Sequence, residues 1–376
     1  MAVIGGGVIG VAAAFELAAE KLRVVVLDRQ QPGREASWAA AGMLSPAPDS
    51  PRDIPLVPLC LESLKLYPDF VAAIEEASGH SAGYARAGTL ELFSGFSTDA
   101  QRDSRLADCR RLGISAEDVS IDIARSSEPK IGPSIRHALW FPDEGTVEPR
   151  LLMEALIAAA RHRNVDFRAD REVTGLLFDA DRCTGVIAAG EHIPAKHVVL
   201  AAGCFSSHIG SKDEILSRYT PTRPVRGQMI ALHPDGPCPA RVLRSDRGYL
   251  VPRRDGRIVV GSTTEEAGFE KRVTPAGIRR ILFNALELYP ALGNAEVLEV
   301  WSGLRPGTPD DLPILGFTEI YGLLIATGHY RNGILLSAVT AKLIREWVTT
   351  GRANFDTRAF SPLRFTEKYQ RAALAK

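Results

Sequence analysis

The chain has 376 residues, with 45 basic and 45 acidic side chains and no formal net charge. That length points to two intertwined domains rather than one core, and the charge balance gives neither nucleic acid nor an anionic membrane a reason to be the main partner. Its five cysteines, Cys60, Cys109, Cys183, Cys204 and Cys238, are scattered without a C-x-x-C pair or a Cys/His ligand spacing. No metal site is read from them, and a reducing cytoplasm is the natural setting.

The opening "MAVIGGGVIGVAAAFELAAEK" is rich in small apolar residues, but it lacks the positively charged start of a signal peptide and carries three consecutive glycines. No other segment reaches the roughly 18 uncharged apolar residues of a membrane span. The spacing predicts a short strand over Met1 to Ile4, a helix from about Val8 to Glu20, and a second, parallel strand in "RVVVLD". Gly5, Gly7 and Gly10 then occupy the G-x-G-x-x-G positions of a dinucleotide-binding βαβ unit. Lacking Cβ atoms, they permit the turn, the approach of a pyrophosphate to the helix N-terminus, and close packing of helix on strand. Asp28 ends the second strand 18 residues after Gly10, where a carboxylate can accept hydrogen bonds from ribose hydroxyls.

Just beyond, "REASWAAAGML" sets small residues around Ser37 and Gly42, so that backbone amides and a hydroxyl can approach a bulky planar ligand. The plain alternative is an Ala-rich helical turn. From Glu148 a helix is expected with Leu151, Leu152, Ala155, Leu156 and Ala159 on one face. Strands follow in "VDFRA", "EVTGLLF", "TGVIAAG" and "HVVLAAG", the last ending at Gly203, either a turn residue or a third backbone approach to the nucleotide.

Thr89 to Phe93 and Pro224 to Thr264 read as short strands, with "YLVPRRDGRIVVG" a hairpin turning at Asp255-Gly256. A helix follows, capped by Thr274 with Pro275 at its first position. The expected fold is α/β: a discontinuous nucleotide-binding domain (1–85, 145–218, 300–376) with an inserted, mostly antiparallel α+β substrate domain (86–144, 219–299).

Two late segments carry the chemistry. "VLEVWSGLRPGTPDDLPILG" delivers Arg305 at a strand end, where a guanidinium can hold a carboxylate through two parallel hydrogen bonds. Pairing with Asp310 or Asp311 at the surface is the equal alternative. In "TGHYRNGILLSAVTAKLIREW", Gly328, Asn332 and Gly333 allow backbone close to a planar cofactor, and the helix opening there presents its positive end. Leu335, Val339 and Leu343 would pack that helix into the core whether or not it serves a cofactor.

"IGGGVIG", "ASWAAAGML", "PVRGQ", "YLVPR", "GLRPGTPDDLPILG" and "GHYRNGILL" occur in this order over nearly the whole chain. Together they resemble the FAD-dependent glycine oxidases of thiamine biosynthesis, within the D-amino-acid oxidase superfamily. The resemblance implies a Rossmann-type FAD-binding domain with an antiparallel substrate sheet over the flavin. It makes Arg305 and Tyr249 the holders of a substrate carboxylate and puts Met43 near the substrate pocket. It also places Arg331, Asn332, Gly333 and Ile334 on the flavin-side loop, and the Val173 backbone at the adenine. Thr264 stands where the family carries larger apolar side chains. Neither "ASWAAAG" nor "RPGTPDD" offers a Cys or His anchor, so FAD is expected to be noncovalent.

The implied activity is oxidation of glycine and small related amines, with dioxygen as acceptor, the imine available to a thiazole synthase, and a homo-oligomer such as a tetramer. The alternatives are a D-amino-acid dehydrogenase that passes electrons to a quinone, a flavin-binding scaffold without turnover, and, further off, an NAD-dependent dehydrogenase.

Overall fold

A computed structural model of the protein describes residues 1–95, 99–210 and 216–366. Its first sheet has six strands in the order Ile314–Phe317, Leu323–Thr327, Val198–Leu200, Ala2–Ile4, Val25–Leu27, Asp166–Arg168. All neighbouring pairs are parallel except the first, an antiparallel edge. Both faces of the central strands are covered, so their residues are apolar and successive side chains serve opposite layers. Val3, Val26, Val199 and Leu324 meet the helices Val8–Ala19, Val57–Ser78, Pro149–His162 and Gly333–Thr350. Ala2, Ile4, Leu27, Leu200 and Ile325 meet a three-stranded meander, Val173–Asp179, Arg182–Ala188 and Glu191–Pro194.

The second sheet has eight strands: Glu296–Gly307, Arg223–His233, Ile258–Gly261, Gly248–Pro252, Val242–Ser245, Thr89–Ser94, Ile135–Phe141 and Glu117–Val119. Only the Val242–Ser245/Thr89–Ser94 pair is parallel. One face is covered by the helix Pro275–Leu288, which buries Ile281, Ala285 and Leu288 against Ile230, Leu250 and Val260. Thr274 caps that helix by accepting the Gly277 amide at 3.2 Å. The other face, with Met229, Ala231, Val251, Val259 and Trp301, packs on Ala39 and Ala41 of the first domain. Two donors from the side of the second sheet fasten this seam: Trp301 Nε1–H to the Ala39 carbonyl at 3.1 Å, and Arg253 Nη2–H to the Ala41 carbonyl at 2.6 Å. The "ASWAAAG" segment is thereby clamped between the sheets.

Three details differ from the sequence reading. The strand Glu296–Gly307 runs along Arg223–His233 as far as the Gly307/Arg223 pair, so the chain returns to the first sheet after Gly307 rather than at residue 300. Leu151 is 42% exposed, because the buried face of its helix is centred on Leu152, Leu156 and Ala159, with Met153 and Ala160 beside them. Gly203 does not end a strand: the strand stops at Leu200, and Gly203 opens the short turn Gly203–His208 at φ +58°.

Candidate active site

Between the two sheets lies one cleft of about 1830 Å³. Ordinary small-molecule pockets run to roughly 300–1,000 Å³, so this one has room for a dinucleotide and a small second ligand.

At one end the lining is main chain. Gly5 has φ +101°, and a Cβ there would lie 2.5 Å from the Ala201 carbonyl oxygen. Gly7 caps the first helix with no side-chain hydrogen bond of its own, and the Ser37 hydroxyl accepts the Val8 amide at 2.9 Å. Gly10 sits behind the loop rather than in the cleft: its Cβ would lie 2.0 Å from the Gly5 carbonyl oxygen, so its service is close packing. Asp28 accepts the amides of Gly6 at 2.7 Å and Gln30 at 2.9 Å. Burial raises its pKa while those amides oppose the rise. Val173 lines the cleft two residues beyond Arg171, whose amide bonds the Asp28 carbonyl. Gly203 borders the same cavity and is tied by its carbonyl to the Thr327 hydroxyl at 2.9 Å.

In the middle, Gly42 at φ +76° turns so tightly that a Cβ would meet the Val147 carbonyl oxygen at 2.0 Å. Met43 follows, half-buried, paired with Thr146. Opposite, the Tyr330 amide donates to the Pro306 carbonyl at 3.0 Å and brings the "GHYRNG" loop beside Arg305. Asn332, Gly333 and Ile334 line the cleft where the helix Gly333–Thr350 begins. That N-terminus has no side-chain cap, so its amides favour negative charge in the cleft. His329 is buried nearby, its Nε2 3.1 Å from the Thr340 hydroxyl, and burial lowers its pKa to about 3. It is therefore neutral at pH 7.

The far end is made of side chains. Arg305 donates from Nη1 to the Thr263 carbonyl at 3.1 Å and from Nη2 to the Ser262 hydroxyl at 2.7 Å. Asp310 pairs with Arg364 at 2.8 Å and Asp311 with Arg223 at 3.2 Å, so neither occupies Arg305. Among the described residues Arg305 has no carboxylate partner. Among the described residues the Tyr249 hydroxyl has one hydrogen-bond partner, the Met229 sulfur at 3.3 Å, an acceptor weak enough for a carboxylate to displace. Arg331 is less committed to the interior: its side chain is 40% exposed, pairs with Asp49 at 3.0 Å and reaches the Thr264 hydroxyl at 3.4 Å.

Several residues of this end carry no sequence signal. Arg244 joins Glu144 at 2.7 Å, Glu91 at 2.8 Å and the Ser45 hydroxyl at 2.7 Å beneath the cleft. Arg105 holds Glu91 at 2.9 Å and the Pro48 carbonyl at 2.6 Å. These pairings fix the loop that carries Asp49, and they join positions as much as 199 residues apart. Among the described residues no group of His, Cys, Asp and Glu could hold a metal ion, and no helix is long and apolar enough to cross a membrane.

Residues 1–347 match the family described as FAD dependent oxidoreductase. The chain belongs to that family. It is 37% identical over 371 residues to the bifunctional protein ThiO/ThiG of Synechocystis sp., covering 96% of this chain and 53% of that protein. It thus spans about half the length of that relative. It is 34% identical to the glycine oxidase of Pseudomonas putida, covering 96% of this chain and 97% of the relative. Its fold is similar to the crystal structure of glycine oxidase from Geobacillus kaustophilus, with a TM-score of 0.90, 32% identity, and 96% and 98% of the two chains covered. The cofactor of the family is FAD, and the cleft fits it: Gly5 and Gly7 line it without a Cβ at the start of the first helix, where the Ser37 hydroxyl holds the Val8 amide, and the helix Gly333–Thr350 opens on it with no side-chain cap.

Proposed function

We propose that this protein oxidises glycine and small related amines such as sarcosine or small D-amino acids to the imine, which water hydrolyses to the 2-oxo acid and ammonia, or methylamine in the case of sarcosine. The observation that carries the reading is Arg305, a half-buried guanidinium at the end of the cleft, fixed by Thr263 and Ser262 and without a carboxylate partner among the described residues. A small carboxylate is the complementary ligand for such a group. In this reading Tyr249 donates to the same carboxylate, Met43 borders the pocket, and Arg331 with Thr264 closes its mouth.

Gly5, Gly7, Ser37 and the first helix would hold the FAD pyrophosphate, with Gly10 packing the loop behind them. Asp28 would hold the ribose, Val173 and Gly203 would flank the nucleotide, and Gly42, Asn332, Gly333 and Ile334 would border the ring. When bound, FAD supplies the hydride acceptor and, through dioxygen, a route to hydrogen peroxide. The protein's task is orientation: Arg305 and Tyr249 would hold the carboxylate and so direct the substrate Cα–H bond, and no side-chain base is required. Neither the Ala36 to Gly42 segment nor the turn after Arg305 carries a Cys or His, which supports noncovalent FAD.

The similarity to bifunctional ThiO/ThiG supports a role in supplying glycine imine to a thiazole synthase, and a homo-oligomeric assembly in the cytoplasm accompanies that reading. Glycine added under air should generate hydrogen peroxide, and without air should bleach the flavin. Bleaching without peroxide would favour a dehydrogenase that serves a quinone. No bleaching by any small amino acid would leave a flavin-binding scaffold.

A further inference from the structure

The motif "PVRGQ" lies beneath Arg305. The strand Arg223–His233 runs between two neighbours. On one side it pairs with Glu296–Gly307, placing Val225 opposite Arg305. On the other it pairs with Ile258–Gly261, the ladder reaching its end at Met229 opposite Gly261. Arg305 bonds Thr263 and Ser262, which lie on that second side, so its side chain must cross the middle strand. It crosses over Gly227, where a Cβ would lie 2.3 to 2.5 Å from the guanidinium atoms. Any other residue there would force the charged group away.

Gln228, fully buried, fixes the far side of the crossing. Its amide N–H donates to the Thr263 hydroxyl at 2.9 Å. Its side-chain Nε2 donates to Glu265 at 2.7 Å and to the Thr274 hydroxyl at 3.1 Å, while its Oε1 accepts the Thr274 amide at 2.8 Å. A carboxylate only accepts and a backbone amide only donates, so these partners leave one orientation for the Gln228 amide. Arg226 and Glu265 exchange both backbone hydrogen bonds, at 2.9 and 3.0 Å, and their side chains form an ion pair. The segment Ser262–Glu265 is therefore registered on the middle strand beyond the end of the regular ladder. It offers a hydroxyl and a carbonyl to Arg305 and, through Thr264, a hydroxyl to Arg331.

We propose that Gly227 and Gln228 are positioning residues that aim Arg305: Gly227 leaves the crossing open, and Gln228 sets Ser262 and Thr263 where they hold the guanidinium at its far end. This rests on the reading of Arg305 as the carboxylate holder. Neither residue need touch substrate or FAD.

The test uses the FAD-loaded protein and hydroxyacetate, a carboxylate of glycine's size without the amine, with Kd read from the change in flavin absorbance and glycine kinetics run alongside. Gly227→Ala should weaken hydroxyacetate at least about tenfold and Ser262→Ala about three- to tenfold. Both should raise KM for glycine far more than they lower kcat, and both should retain FAD. Ser262→Thr should restore most of the loss. Combined with Arg305→Ala, neither substitution should weaken binding further, because residues acting through one group are not additive. Gln228→Met should behave like Gly227→Ala; if it does not fold, the Gly227 and Ser262 variants decide alone. Binding within about twofold of the parent in both, or losses that add in full to that of Arg305→Ala, would overturn the proposal. If Arg305→Ala itself bound hydroxyacetate at parental strength, the carboxylate reading would fall, and the positioning proposal with it.

Discussion

The two ends of the cleft are built from different materials. At the proposed nucleotide end the contacts on offer are main chain and small groups: Gly5, Gly7, the Ser37 hydroxyl and a carboxylate, Asp28, itself held by two amides. At the proposed carboxylate end they are long side chains, Arg305, Tyr249 and Arg331, each resting on partners from distant strands or loops. A site made of backbone has no spare atoms, so adding one Cβ is an overpacking error. A site made of side chains can lose one group and keep its frame. Cofactor retention and substrate recognition should therefore be separable by mutation, and the separation can be pressed from both ends.

The largest effect is expected at Gly10, although it lies outside the cleft. Gly10→Ala puts a Cβ 2.0 Å from the Gly5 carbonyl oxygen, where only backbone movement can relieve it. The cost should be about 3 kcal/mol or more, at the upper end for overpacking, seen as a lowered Tm and a protein purified without flavin. Full flavin content at parental Tm would show that the loop is not held by that contact.

Asp28→Ala comes next. It removes a charge-assisted acceptor worth about 1.5–3 kcal/mol, so FAD should bind roughly ten- to 150-fold more weakly in titrations of apoprotein, while KM for glycine at saturating FAD stays near the parental value. An unchanged FAD Kd would remove Asp28 from the ribose; a raised KM would blur the division between the two ends.

The smallest effect is expected at Arg331, whose pair with Asp49 is exposed on both sides. Arg331→Ala should change stability by less than about 1 kcal/mol and shift the flavin spectrum or the pH dependence of turnover modestly. A loss of turnover as large as that of Arg305→Ala would show that the mouth, not the crossing strand, holds the carboxylate.

The same contrast explains what the sequence made legible. Gly5, Gly7, Gly10 and Asp28 lie within one βαβ unit, so local spacing carries their meaning. Arg305 can be read as a strand-end guanidinium, but its acceptors lie 42 and 43 residues away, and sequence spacing could not choose between them and Asp310 or Asp311. The link from Arg244 to Glu144 across 100 residues is likewise a product of strand order. The helix Val57–Ser78 escapes motif reading because Pro58 opens it and Pro68 interrupts its pattern, although it packs along the late helix Gly333–Thr350. Leu151 shows the limit of periodicity itself: two candidate stripes differ by one residue, and packing against the first helix selects the one through Leu152.

The central claim is that Arg305 binds the substrate carboxylate, and glycine kinetics of Arg305→Ala test it most directly. The variant should keep its FAD, because the residue lies outside the nucleotide end. It should lose roughly 2–5 kcal/mol of transition-state binding, about thirty- to several-thousand-fold in kcat/KM, with Arg305→Lys recovering only part. An amine without a carboxylate should be nearly indifferent to either change. Glycine turnover equal to the parent's, or an equal fall for both kinds of substrate, would contradict the assignment.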